Sequence, residues 1–540
     1  MKNFWKPALL LFCIFLATIV RAANPDTVGV TLLQTLTTNL NGAGIRVAQP
    51  EAEISTNPPA FEVNPANVGQ PAGLFTYAAS GGSATVYPNS LGTNSWHAEA
   101  VANNFYGMPG GVATNVAHVD NDDADYFYNA IVNPTPYFPS SLNDPVVNQS
   151  FIYDGSTVSD QQTLDSAYDN YAVKYGTLFV SGAGNGAGSG NNGFVNPPAT
   201  CYNGIGVGVS DGSSSVGPTI DNGRAKPDLI APGGATSFST PYVSGAAALL
   251  MQAALRGDGG GDTNSAFDLR TIKALLLNGA VKPADWTNVA PSPLDPRYGT
   301  GVLNVFNSYE QLAGGKHGFI VSTSVTSGSA HPPTGATGNE SALSGWDFNT
   351  IASTSGGIFS SATDGVNHYY FNATNGANDA AFTATITLAW NRPASQTPQI
   401  HSGINNLDLF LYNAANGNLV ASSISVVDNV EHIFVPRLPS GRYDLQVLKN
   451  SGGAVADSET YALAWGIVSP SLNVSKSGAN VILTWPVYPA GFLVETTTNL
   501  LAPAWSADGL ASSAVTNRMN SLILNATNAR QFFRLRAPDF

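Results

Sequence analysis

The chain has 540 residues, 43% of them hydrophobic and 11% charged, with a formal net charge of −14. That length and apolar content can build several domains with cores of their own, and 55 glycines and 34 prolines scattered without period exclude a collagen-like or wholly disordered chain. The acidic balance argues against nucleic acid or an anionic membrane surface as a partner.

Lys2 and Lys6 precede an apolar run from Ala8 to Val20, followed by Arg21-Ala22-Ala23. This is the layout of a secretory signal peptide over residues 1–22, so the expected location is extracellular or the cell envelope. No later stretch is apolar enough over a sufficient length to suggest a membrane span after cleavage. Cys13 lies in the leader, which leaves Cys201 alone and the exported chain without an internal disulfide.

Residues 24–41 read as a short helical lead-in. A glycine turn then precedes a strand from Ile45 to Ala48, with Glu51 beyond its carboxyl end, where open α/β sheets build their sites. His97 opens a helix in SWHAEAVANNFYG. Val116–Val119 reads as a strand that buries His118 mid-strand, and Asp120, Asp122, Asp123 and Asp125 open a helix running to Ile131. Strands at Val146–Ile152, within 177–185 and at Ile205–Val209 alternate with helices at Gln161–Tyr175 and Asp268–Leu277. Alternation of this kind predicts a mostly parallel sheet with helices on both faces.

Near residue 316 the helical periodicity stops and strand-like runs take over, including HYYFNAT (368–374), AFTATITLAW (381–390), LDLFLYN (407–413) and YALAWGIV (461–468). The expected organisation is an α/β domain over residues 23–315, an all-β jelly-roll or β-sandwich domain over 316–468, and a small β-sandwich module over 469–540.

Chemistry centres on GGATSFSTPYVSG (233–245), where Ser237 stands at the start of an apolar helix and Pro241 is expected in its first turn. The serine's own N–H would lie at the positive end of the helix dipole, suited to a developing oxyanion; an ordinary N-cap is the alternative use of such a serine. Hydrolysis by serine also needs a base, an orienting acid and a second oxyanion donor. Only His97 and His118 precede residue 316, and His97 is the better placed base.

Together these segments resemble the subtilisin-like serine proteases, the subtilases. ATSFSTPYVSG is similar to the family's serine block, GRAKPDLIAPG (223–233) to its lead-in, and FVSGAGN to the segment with the oxyanion-hole asparagine, here Asn185. HAEAVAN stands for the histidine block and RYGTGVLNVFNS (297–308) for the closing segment. The resemblance implies a subtilisin-like fold over the α/β domain and a secreted endopeptidase acting on protein or peptide substrates, with Ser237 as nucleophile and His97 as base. Ser150 with Ser181, Gly182 and Ala183 would line the substrate cleft, or else serve as ordinary sheet core.

Three positions depart from the family pattern. Glu51 stands where the family has aspartate, and no aspartate occurs between Asp26 and His97; Ala98-Glu99-Ala100 replaces small residues after the histidine; and Ala235 replaces a glycine. Glutamate keeps the carboxylate that orients imidazole. The alternative reading is an inactive relative acting as an extracellular binding or adhesion protein. The chemistry requires no cofactor. Structural calcium at the acidic group 120–125 is an option that many subtilases use, although capping of a helix start is the better account of those aspartates.

Overall fold

The computed structural model describes residues 25–186, 193–333, 340–374, 381–393, 403–507, 514–525 and 530–536. The leader expected over residues 1–22, with Cys13, lies outside the described residues. Cys201 is buried and free, and among the described residues no helix is long and apolar enough to cross a membrane.

Eight strands form the central sheet: β1 (Arg46–Ala48), β2 (Phe75–Ala79), β3 (Gly82–Ala84), β4 (His118–Asp122), β5 (Val146–Gln149), β6 (Leu178–Gly182), β7 (Ile205–Val209) and β8 (Leu229–Ala231), in the order β8-β7-β6-β5-β1-β4-β2-β3. Every pairing is parallel except β2 with β3, at one edge. β6, β7 and β8 are buried along their whole length, as strands covered on both faces must be. The main helices are α1 (Trp96–Phe105), α2 (Val158–Tyr175), α3 (Thr236–Leu255), α4 (Leu269–Asn278) and α5 (Val305–Ala313). This is the mostly parallel architecture that the alternation of elements predicts.

Several local expectations shift. His118 begins β4 instead of lying in its middle, and its side chain is 20% exposed. Asp120 and Asp122 belong to that strand, and the helix begins only at Ala124, capped by Asp123. Pro241 is the sixth residue of α3, one turn deeper than expected. Each shift moves an element boundary by a few residues, a choice that periodicity leaves open.

Beyond α5 the described chain is all β. A five-stranded sheet (order Val321–Thr326, Thr363–Ala373, Gly441–Lys449, Leu407–Asn413, Leu419–Ser423) faces a four-stranded one (Ser344–Ala352, Ser458–Val468, Phe382–Trp390, Val430–Leu438). All pairings in both sheets are antiparallel, and Tyr369, Phe371, Leu409, Leu445 and Trp465 fill the space between them. A final unit of four- and two-stranded sheets closes over Leu483, Trp485, Val494 and Leu522.

The sandwich and the α/β domain share core: Trp346, Ala389, Val430, Ala462 and Ala464 of the former join the apolar cluster of the latter. A buried ionic layer accompanies this contact. Arg392 pairs with Asp169 at 2.7 Å, and its backbone N–H and carbonyl are both read by the Asn203 side-chain amide, at 2.8 and 2.9 Å. Arg392 and Arg224 both lie over the Tyr202 ring, at 4.6 and 4.0 Å, and Arg224 pairs with Asp165 and Asp221. Asp428 of the sandwich accepts the Ala225 N–H at 2.8 Å.

Candidate active site

Glu51 continues the parallel ladder past the end of β1. Its N–H donates to the Asp122 carbonyl and its carbonyl accepts from Ala124, each at 2.9 Å. The backbone is thereby fixed where the sheet opens toward the loops, and the side chain is 1% exposed. His97 is the second residue of α1, whose N-cap Ser95 accepts the Ala98 N–H. His97 Nδ1 lies 2.8 Å from Glu51 Oε2. The imidazole is flanked by Trp96 edge-on at 5.8 Å and by Phe238 at 5.9 Å. Because Phe238 directly follows Ser237, that second contact sets the ring beside the serine.

Ser237 is the second residue of α3. Its N–H lies in the first turn, where no helical acceptor exists. Its carbonyl would ordinarily accept from the residue four positions on, which is Pro241 and has no N–H. Ser150 Oγ supplies the missing donor at 2.9 Å. That hydroxyl is itself held by Asn148 at 3.0 Å, and Asn148 by Ser244 at 2.9 Å. Ser237 Oγ donates to the Ser150 carbonyl at 3.3 Å, so in this resting arrangement it does not bond His97. A hydroxyl moves between staggered rotamers readily, and catalytic hydrogen bonds of free enzymes often tighten only with substrate.

Asn185 follows β6. Its Oδ1 accepts from the Thr236 N–H at 2.8 Å and the Thr236 hydroxyl at 3.1 Å. With the oxygen tied to the first turn of α3, the amide NH2 is the end left to donate. Gly182 permits this closeness, since a Cβ there would sit 3.1 Å from Thr236 Oγ1 and 3.2 Å from Thr240 Oγ1. Of the other cleft candidates, Ser150 reaches Ser237 directly, whereas Ser181 turns inward to Gln149 at 2.9 Å and Ala183 is fully buried.

The departures from the family pattern have structural accounts. Ala235 adopts φ −158°, ψ 155° as the N-cap of α3, extended backbone open to any residue, while the neighbouring Gly234 takes φ 127°, where glycine is required. Glu99 accepts from Asn67 at 2.7 Å and Asn94 at 3.4 Å, tying two loops to α1. The aspartates of the acidic group have protein partners of their own: Asp120 binds Arg46 and His118, Asp123 caps its helix by accepting the Tyr126 N–H, and burial raises the pKa of Asp122, favouring its neutral form. Among the described residues no group of three or more His, Cys, Asp or Glu could hold a metal ion.

Sequence reasoning missed Gln49 and Tyr106. Gln49 Nε2 donates to Glu51 Oε1 at 2.8 Å and Tyr106 donates to Gln49 Oε1 at 2.6 Å; an amide two residues before the acid carries no signal by itself.

The sheet thus brings a serine at a helix N-terminus and a histidine–carboxylate pair to the same end of its strands. Residues 75–301 match the model of the subtilase family, Peptidase_S8, and the α/β portion of this chain is a subtilase domain, a serine peptidase fold. His97, Asn185 and Ser237 fall inside the match, and Glu51 precedes it. Among solved structures, the serine protease of Aeromonas sobria aligns over 92% of this chain and 88% of its own, at 15% identity and a TM-score of 0.34. Tripeptidyl Peptidase 2 aligns over 76% and 43% (14% identity, TM-score 0.30), and the CspB protease of Clostridium perfringens over 54% and 98% (14%, 0.38). No curated protein matches the chain in sequence.

Proposed function

We propose that the chain is an exported serine endopeptidase using a Glu51–His97–Ser237 triad on protein or peptide substrates. The observation that carries this reading is the 2.8 Å contact between His97 Nδ1 and Glu51 Oε2, beside a serine whose helix is gripped by Asn185. Glu51 accepts a hydrogen bond from Nδ1–H, which leaves Nε2 as the base. Ser237 Oγ attacks the scissile carbonyl while Nε2 takes its proton. The oxyanion is held by the Ser237 N–H and the Asn185 amide. His97 then returns the proton to the leaving amine, and the same base deprotonates the water that hydrolyses the acyl-enzyme. Nucleophile, base and oxyanion donors all come from the chain, so these steps call for no cofactor. Export rests on the leader at residues 1–22.

A fluorophosphonate probe is expected to label Ser237 in the folded protein, and Ser237→Ala to lose both labelling and casein cleavage. Folded wild-type protein that takes no label overturns the reading. One feature favours a second reading, a peptide-binding protein without turnover: the Ser237 hydroxyl rests on the Ser150 carbonyl. Peptide retention with equal affinity by wild type and Ser237→Ala, without cleavage by either, is the result that reading requires.

A further inference from the structure

The triad acid here is one methylene longer than aspartate, so one more torsion must be fixed before its carboxylate can hold an imidazole. Gln49 occupies the place from which that can be done. It is fully buried and its backbone is anchored on both sides: its N–H donates to the Asp120 carbonyl at 2.7 Å, and its carbonyl accepts from Asn121 at 3.0 Å. Its side-chain nitrogen donates to Glu51 Oε1 at 2.8 Å and to the Ala98 carbonyl at 2.9 Å, and its oxygen accepts from Tyr106 at 2.6 Å. A carboxylate and a carbonyl are acceptors only, so a flipped amide would set oxygen against oxygen at both contacts. The orientation is therefore decided by chemistry. Tyr106 is itself buried, and burial together with the Glu51 charge pushes its pKa well up, which keeps the hydroxyl a donor.

The connectivity matters more than any single bond. Glu51 Oε1 is taken by Gln49 and Oε2 by His97, so the carboxylate has no slack. Ala98 follows His97 in α1, so one amide grips both the acid and the helix that carries the base. We propose that Gln49, locked by Tyr106, is a positioning residue that sets Glu51 against His97 and makes glutamate workable in the triad. This rests on the peptidase reading above and extends it to two residues that take no part in proton transfer.

The test is a double-mutant cycle on the full chain, with turnover expressed per site counted by end-point fluorophosphonate labelling. Gln49→Met keeps the length and removes both donors; it is expected to lower kcat roughly 10- to 100-fold with KM nearly unchanged. Tyr106→Phe, a smaller change less exposed to folding failure, is expected to move kcat in the same direction by a smaller factor. In a Glu51→Ala background neither change is expected to alter the residual kcat by more than about twofold, because each acts through that carboxylate. An equal loss in both backgrounds, or a wild-type kcat in both variants, overturns the assignment while leaving the peptidase reading intact. A wild type without labelling or turnover overturns the peptidase reading, and the assignment falls with it.

Discussion

The cleft and the junction between the two larger units gather charged side chains from distant segments, yet they treat them differently. At the junction Arg392, Asp169, Arg224 and Asp165 are each buried and each engaged, as are Lys226 and Asp228 within the α/β domain. Lys226 pairs with Asp228 at 2.5 Å, and that carboxylate also takes the Gly206 N–H at 2.6 Å. In the cleft the acid is sealed, but the imidazole is 18% exposed and the serine hydroxyl rests on a backbone carbonyl. Charge closed off on every side maintains structure. Charge held on one side and open on the other is available for chemistry.

The contrast can be broken in order of expected size. Arg392→Ala leaves Asp169 charged and uncovered at the junction, and should cost roughly 3–5 kcal/mol of stability while kcat per labelled site stays at the wild-type value; denaturant midpoints and active-site titration check both halves. Asn185→Ala reverses the pattern, lowering kcat about 10²–10³-fold, about 2.7–4 kcal/mol in the barrier, with a much smaller change in Tm. If Arg392→Ala instead removed activity from folded molecules, the two regions would be one functional unit.

A pH effect comes next. Burial pushes the Asp428 carboxyl up to about 6, above its value in the unfolded chain. The unfolded state therefore releases this proton first as pH rises, and stability falls between about pH 4 and 6. Asp428→Asn keeps an oxygen for the Ala225 N–H and has no proton to lose. Its gain over wild type should be on the order of 1–3 kcal/mol at pH 7 and should vanish toward pH 4, as read from denaturant midpoints along a pH series. Smallest is the solvent-exposed Arg297–Asp285 pair, where Arg297→Ala should leave Tm unchanged within error because water and salt already screen both charges.

Much of the architecture was legible because period and punctuation carry it. Ile205–Val209 is a buried strand by composition alone and forms with those bounds, and the switch to strand-like runs near 316 follows the last helix, Val305–Ala313. The candidates His97, Ser237 and Asn185 stand out through their blocks, and Glu51 through its place after β1. Register at strand entry was not legible, as His118 and Pro241 illustrate, because shifting a boundary by a few residues leaves the apolar pattern intact. Gln49 and Arg392 were invisible for another reason. Most of their partners, Ala98 and Tyr106 for Gln49 and Asp169 and Asn203 for Arg392, lie tens to hundreds of residues away, and a lone amide or arginine gives no hint of them. Arg224, Lys226 and Asp228 were read only as part of a lead-in block, although all three sit at most 3% exposed.

The Asn203 amide that brackets Arg392 has a consequence for inheritance. An appended domain is commonly treated as an interchangeable part, gained or traded without altering its host. Here the host has a carboxylate and an amide fitted to one residue of the appendage, in both side chain and main chain. A lineage that exchanged this sandwich for another would need Asp169 and Asn203 to change in the same step, or an arginine to arrive in the same pose. The two halves are expected to have travelled together.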